Sequence, residues 1–312
     1  MTQYTAGVDI SKEHLDACRL PDGDVMQFAN DKAGLRDLIK WIGALPVERI
    51  VYEPTGAYHR ALEDALSAAG MPLVKVNPFQ ARRFAQACGM RAKTDRVDAQ
   101  MLARMGMALQ PDCTSVPSKI QRDLKALAVA RQALIKDRTA AKNRAKQITV
   151  TLLQRQNDKR LRQIADDLKA IQASMLGLIN NDAQLQRRLQ IISSIPGMGT
   201  ITALSLIVEM PELGALEAKQ IASLAGLAPH PRESGQWKGK RFVGAGRKLL
   251  REALYMPALV ASRFNPDMKL KYQQLTKAGK PPKLAITAIM RKLINLANAP
   301  IKNNRIWSQK MA

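Results

Sequence analysis

Leucine, isoleucine and methionine recur at steps of three and four residues through Leu161, Ile164, Leu168, Ile171, Met175 and Leu178. That spacing forms one stripe along an α-helix, and a stripe held to a 3.5-residue period is the seam of a coiled coil. The register resumes at Leu185, Leu189 and Ile192, with Asp182 as the interruption. A weaker seam runs upstream through Leu124, Leu127, Leu134, Ala141, Ile148 and Leu152, with Arg131 and Arg138 where apolar residues belong. Polar residues 154–159 are predicted to turn the chain between the two helices. Each stripe must bury against something, either the other arm of the hairpin or a second subunit. Residues 116–192 are therefore read as a helical coiled-coil spacer that divides the chain in three.

Before the spacer, residues 1–115 alternate between strand and helix. Residues 4–10 form an apolar strand, and 15–20 and 25–30 two more with polar turns between them. Leu35, Leu38, Ile39 and Ile42 give residues 32–45 a helical period that ends at Pro46. A strand at 49–53, a helix at 58–69 closed by Gly70, a strand at 73–76 and helices at 80–87 and 93–109 follow. This order is compatible with an RNase H-like α/β layer architecture, although pattern alone does not choose it over other α/β folds. Residues 193–312 read as a mainly α-helical, basic domain. Its helices are predicted at 201–210, 219–225, 247–262 and 283–296, with a loop-rich stretch at 229–246 and a loose polar tail from Pro300.

The charge follows the same division. Of a net +23, none lies in residues 1–115, where 14 basic residues balance 14 acidic ones. Residues 116–192 carry 16 basic and 6 acidic residues, and residues 193–312 carry 19 and 6. Such an excess sets aside ordinary enzymes of small neutral metabolites and favours a polyanion, either nucleic acid or an acidic membrane surface, bound by the last two-thirds. Cys18, Cys88 and Cys113 are too few and too scattered for a disulfide framework or a zinc site, which points to a reducing compartment. No secretory signal opens the chain, and the apolar run near 201–210 is too short to span a bilayer, so a cytosolic location is expected.

Four carboxylates stand out in the first third. Asp9 lies inside an apolar strand, where an unpaired charge is costly. Glu53 ends another strand and meets Pro54-Thr-Gly56, a turn that would hold it at a sheet edge. Asp95 and Asp98 are three apart, so a helix puts both on one face, where they repel unless a cation sits between them. Four such groups on an RNase H-like scaffold could hold two Mg²⁺ ions. Alternatively, Asp9 and Glu53 cap turns while Asp95 and Asp98 face solvent. In the last third, Ser234 sits among Pro and Gly with Arg232, Lys238, Lys240, Arg241 and Arg247 nearby. A hydroxyl among cations suits attack on a phosphodiester, yet an ordinary loop serine in a binding patch fits the same residues. Ile195-Pro-Gly-Met-Gly199 resembles the hairpin of a helix-hairpin-helix, in which Gly197 and Gly199 let backbone amides approach a phosphate. Lys248 and Arg251 extend a basic stripe, read either as phosphate contacts or as a solvated face.

Gly7-Val-Asp-Ile-Ser-Lys12, Glu53-Pro-Thr-Gly56, Lys93-Thr-Asp-Arg-Val-Asp-Ala99, Ile195-Pro-Gly-Met-Gly199 and Glu233-Ser-Gly235 occur in this order, with a helical spacer between the third and fourth. Together they resemble the DEDD transposases of insertion-sequence family 110 over nearly the whole chain. The resemblance implies a RuvC-like N-terminal domain with Asp9, Glu53, Asp95 and Asp98 as a Mg²⁺-binding tetrad. It implies Ser234 as a nucleophile that joins DNA covalently, and a structured noncoding bridge RNA that pairs with donor and target DNA. It also implies dimers assembling into tetramers with shared active sites. A water-using, metal-dependent nuclease of the junction-resolvase type and a non-enzymatic RNA-binding protein are the alternatives.

Overall fold

Strand β1 (Tyr4–Ile10) is buried along most of its length because it is covered on both faces. The computed structural model describes residues 3–90, 95–231, 233–235, 237–239 and 241–308, without the side chains of Asp95, Glu233 and Lys238. The chain divides into two compact units, Met1–Pro117 and Ser118–Ala312.

In the first unit β1 is followed by β2 (His14–Leu20), β3 (Asp24–Ala29), α1 (Lys32–Gly43), β4 (Val47–Tyr52), α2 (His59–Ala68), β5 (Leu73–Lys75), α3 (Pro78–Ala87) and α4 (Asp95–Leu109). The sheet order is β3-β2-β1-β4-β5. Its first three strands form an antiparallel meander, while β4 and β5 run parallel to β1. On one face Ala6, Val8, Ile50 and Tyr52 pack with Leu35, Leu38 and Ile42 of α1 and Leu62 and Leu66 of α2. The other face is covered by α3 and α4 through Val51, Val74, Ala81, Met101, Leu102 and Met105. This layering and strand order fit an RNase H-like domain.

Two glycines set how closely α4 approaches the sheet. A Cβ on Gly7 would be driven into the Ala99 carbonyl oxygen and the Ala103 amide, so the helix backbone rests directly on the strand. A Cβ on Gly106 would strike the methyl groups of Val51 and Thr5. The sheet face under α4 is consequently small-residued at Gly7 and opens toward solvent two residues later, at Asp9.

The second unit is mainly helical. It contains α5 (Lys119–Ala145), α6 (Thr151–Asn180), α7 (Ala183–Ser193), α8 (Thr200–Glu209), α9 (Ala218–Leu224), α10 (Lys248–Phe264), α11 (Pro266–Lys277) and α12 (Pro282–Lys302). Helices α5 and α6 pack together as a hairpin. The buried core that joins α7 to α12 also takes in Leu124 of α5 and Met175 and Ile179 of α6. Asp182 interrupts the seam because it caps α7, accepting hydrogen bonds from the amides of Gln184 and Leu185.

Two expectations need correction, and one helix lies where none is expected. Residues 154–159 do not turn the chain; they are helical, and the turn lies upstream, after Ala145 and before Thr151. Gln, Arg and Lys are good helix formers, whereas the β-branched run Ile148-Thr-Val150 disfavours helix, and polarity without Gly or Pro is a poor turn signal. The tail from Pro300 is not loose as far as Trp307, because α12 continues to Lys302 and Ile301 and Trp307 pack on the core. The Trp307 amide donates to Ser194 Oγ at 3.0 Å, and Arg187 donates to the Asn304 carbonyl. Helix α11 was unanticipated, though Asn265-Pro266 carries its start signal: the Asn265 side chain accepts from the amides of Asp267 and Met268.

The glycine contacts yield a test. Gly7→Ala forces a Cβ against helix backbone that cannot swing aside, and overpacking of this kind costs about 1–3 kcal/mol. Gly177 in α6 has open space around its Cβ position, so Gly177→Ala should leave stability unchanged or raise it by up to ~1 kcal/mol. Thermal melting should therefore fall for Gly7→Ala and not for Gly177→Ala; equal shifts would contradict the contact.

Candidate functional site

The register of the sheet brings two of the four carboxylates together. Gly7 faces Val51 and Val8 faces Tyr52 across the parallel β1–β4 pair, so one further step sets Glu53 beside Asp9. Side chains alternate along strands, which puts Asp9 and Glu53 on the face of Gly7 and Val51, the face covered by α4. Helix α4 starts at Asp95, and its Ala99 lies over Gly7. Asp98 is therefore in the opening turn, next to the sheet position from which Asp9 emerges. A helix N-terminus favours carboxylates at that place. Asp9, Glu53 and Asp98 are each half-buried and each engaged in interactions within the protein. The Asp95 side chain lies outside the described residues. Among the described residues no group of three or more His, Cys, Asp or Glu side chains is close enough to hold a metal ion.

Past Glu53, Gly56 adopts φ +50°, and the Tyr58 amide donates to the Thr55 carbonyl at 3.1 Å, so the chain reverses into α2. Beneath it Tyr52 donates to Glu63 Oε1 at 2.6 Å, and Lys75 Nζ reaches the same oxygen at 2.7 Å. Burial is the first cause raising the Tyr52 pKa, and the hydrogen bond to Glu63 adds to it. These contacts pin the end of β4 from the opposite face.

One carboxylate escaped the sequence reading. Asp16 pairs directly across from Asp9 in the antiparallel β1–β2 ladder and is buried, with Gln27 Nε2 donating at 3.1 Å. Its signal was an acidic residue in the apolar run Leu15-Asp-Ala-Cys18, the same signal that marked Asp9.

In the second unit Ser234 belongs to a short hairpin rather than an irregular loop. Strands β6 (Pro229–His230) and β9 (Phe242–Val243) form its base, and β7 (Glu233–Ser234) and β8 (Trp237–Lys238) its tip. Ser234 pairs with Trp237, and Gly235 turns the chain at φ +55°. Ser234 is exposed, as is Trp237 beside it. Arg232 and Lys240 lie outside the described residues, as does the side chain of Lys238; Arg241 is exposed.

Arg247 and Arg251, read from sequence as phosphate contacts, bond within the second unit around the start of α10. Arg247 makes two bonds to Glu212, at 2.6 and 2.7 Å, and a third to the Glu209 carbonyl at 2.6 Å. Arg251 donates to the Ala245 carbonyl, and Gly226 and Gly246 allow the two backbone segments to meet. Lys248 is exposed, 3.8 Å from Glu252. The Ile195–Gly199 turn joins α7 to α8, with Ile195 and Met198 buried. Gly197 takes φ +96° against α10, and exposed Gly199 is the N-cap of α8.

Residues 6–154 match a family model described as a transposase, of the DEDD type named for IS110, and residues 189–273 match one described as transposase of the IS116/IS110/IS902 family. The pilin gene-inverting protein of Moraxella bovis is 30% identical over 100% of this chain and 99% of its own length. The transposase of insertion sequence element IS1111A from Coxiella burnetii is 24% identical, covering 73% of this chain and 69% of that protein. Among solved structures, T. thermophilus RuvC in complex with a Holliday junction substrate aligns with 37% of this chain and all of its own, at 15% identity and TM-score 0.27. The chain belongs to the IS110 family of DEDD transposases. It is accordingly a DNA transposase or recombinase, and no helix among the described residues is long and apolar enough to cross a membrane.

The Arg247–Glu212 pair predicts a pH response. The hydrogen bond from Arg247 is the largest influence on Glu212 and holds its pKa below the ordinary 4.5. A carboxylate with a lowered folded pKa stabilises fully above its unfolded value, and that stabilisation vanishes as pH falls through the folded one. About a third of each side chain is exposed, so solvent screening limits the effect to ~1 kcal/mol. Glu212→Gln should therefore melt lower than wild type at pH 7, with the gap closing below pH 4.5. A gap that is constant with pH would remove Arg247 from this role.

Proposed function

We propose that this chain excises and inserts its own DNA element by strand cleavage and exchange through a covalent serine–DNA intermediate, guided by a structured noncoding RNA. The observation that carries the reading is the sheet register that sets Glu53 beside Asp9 under the first turn of α4. Asp9, Glu53, Asp95 and Asp98 are the residues that would hold divalent metal, and hard carboxylate oxygens suit Mg²⁺. When bound, two such ions would polarise the scissile phosphate and stabilise the leaving oxygen. Gly7 and Gly106 keep α4 close enough for Asp98 to share the site, and Asp16 places a further negative charge beside Asp9.

Ser234 supplies the nucleophile in this reading. Its Oγ bonds to phosphorus as the bond from phosphorus to the leaving sugar oxygen breaks, and the hydroxyl proton passes to solvent. The exposed hairpin tip supports the role, since a nucleophile for DNA has to be presented outward. The excess of +23, all of it in residues 118–312, supports binding of donor DNA, target DNA and the bridge RNA there. We assign residues 1–115 to the metal site, 116–192 to a coiled-coil spacer and 193–312 to the serine-bearing domain. Gly197 and Gly199 at the α8 turn, together with Arg232, Lys238, Lys240, Arg241 and Lys248, would contact phosphate. The relatives named for gene inversion support a site-specific rearrangement, and the setting is the cytoplasm.

Denaturing gel electrophoresis with labelled DNA tests the two chemical roles. Wild type with Mg²⁺ should leave a protein–DNA adduct. Ser234→Ala should bind DNA with unchanged affinity and form no adduct, and Asp98→Asn should lower cleavage at least a hundredfold. Cleavage without an adduct would establish the water-using nuclease instead.

Tetrad and serine are in different units, and the family resemblance favours a site shared between subunits of a dimer or tetramer. Asp95→Asn and Ser234→Ala chains, each inactive alone, should then regain adduct formation when mixed under subunit exchange. No adduct from confirmed mixed assemblies would place the whole site within one chain.

A further inference from the structure

Helix α11 and its two connections carry a charge that the assigned sites do not use. Residues 263–292 contain eight basic residues (Arg263, Lys269, Lys271, Lys277, Lys280, Lys283, Arg291 and Lys292) against a single acid, Asp267. Among the described residues none of the eight forms an ion pair with a carboxylate. Arg263, Lys269, Lys277, Lys280 and Lys283 are exposed.

Three of these cations' positions are set by α11 itself. Met268 anchors α11 in the core and Tyr272 packs against it, while Lys269, Gln273 and Lys277, about one turn apart, run along its exposed flank. Arg263 precedes the helix; Lys280 and Lys283 follow it. At about 1.5 Å per residue, the twelve residues of α11 make a stripe on the order of 18 Å long. Phe264, at its start, is 76% exposed, and Leu270 is 57% exposed. A solvated aromatic ring at the head of an unpaired cationic stripe provides one surface for a base and several for phosphates. Duplex DNA hides its base faces and has no use for the ring.

We propose that the solvent face of α11, from Phe264 to Lys283, binds a single strand of nucleic acid, with one unpaired base stacked on Phe264 and three or so phosphates along the lysines. The surface lies apart from the serine hairpin in sequence, and its occupant need be neither the guide RNA nor the cleaved strand.

The test measures binding of full-length protein to three fluorescent probes: a ten-nucleotide single-stranded RNA, the DNA of the same sequence, and its duplex. Phe264→Ala should weaken single-strand binding about tenfold and duplex binding less than twofold. The triple variant K269A/K277A/K280A should weaken single-strand binding at least tenfold and reduce the slope of log affinity against log salt by about 2, at ~0.7 per phosphate contact. RNA and DNA probes that respond alike indicate readout of phosphate and base alone, whereas a response in one assigns the strand to that chemistry. All altered residues are exposed, and unchanged melting temperatures confirm that folding is intact. Equal losses for single strand and duplex would overturn the stacking role, and unchanged single-strand binding in both variants would overturn the proposal. Binding to phosphatidylserine vesicles that the triple variant abolishes, with nucleic-acid binding unchanged, would assign the stripe to a membrane and overturn it too.

Discussion

Helix α4 rests on β1 backbone to backbone, and the arrangement of the first unit's carboxylates follows from that contact. Gly7 removes the side chain that would hold the helix off the strand, and Gly106 does the same against Val51 and Thr5. With the helix seated, its opening turn comes level with the end of β1, where Asp9 leaves the covered part of the sheet. The parallel pairing of β1 with β4 then puts Glu53 at the adjacent strand end. In the proposed site, an α4 held off the strand would carry Asp98 away from Asp9 and Glu53. The position of the helix is thus a condition for the proposed site, and two residues without side chains supply it.

Much of this was legible in the sequence. The nine elements of the first unit lie close to where alternation and helical period placed them, because a two-face-buried strand and an amphipathic helix leave distinct patterns. What could not be read was the sheet order, which depends on pairing between distant strands, and hence the adjacency of Asp9 to Glu53. Asp16 carried the same sequence signal as Asp9, a carboxylate in an apolar strand; only its place opposite Asp9 had to come from the ladder. In the second unit the turn between α5 and α6 was misplaced because polar residues were weighed above β-branched ones. Arg247 was read as a phosphate ligand because its partner, Glu212, is thirty-five residues away in sequence.

The two units divide the work by charge. The first is neutral overall and sets Asp9, Asp16 and Glu53 near one sheet end. The second carries all of the net charge, yet its cations do not act alike. Arg247 is paired with Glu212, Arg251 bonds the Ala245 carbonyl, and Lys125 is bound to Glu209 at 2.7 Å. Other basic residues, including Lys248 and those along α11, remain solvated. A total of +23 therefore overstates what a polyanion meets, and the structure separates cations that build the fold from those that face a partner.

In the proposed function Asp9, Glu53, Asp95 and Asp98 hold divalent metal. Calorimetric titration of the full-length protein with Mn²⁺, which takes the same hard oxygen donors as Mg²⁺ and reports binding without DNA, tests it most directly. Wild type should bind saturably, with affinity falling at least about tenfold in Asp9→Asn and likewise in Glu53→Gln, and melting temperatures in the absence of metal should be unchanged or raised. An isotherm that is the same in wild type and both variants would contradict it.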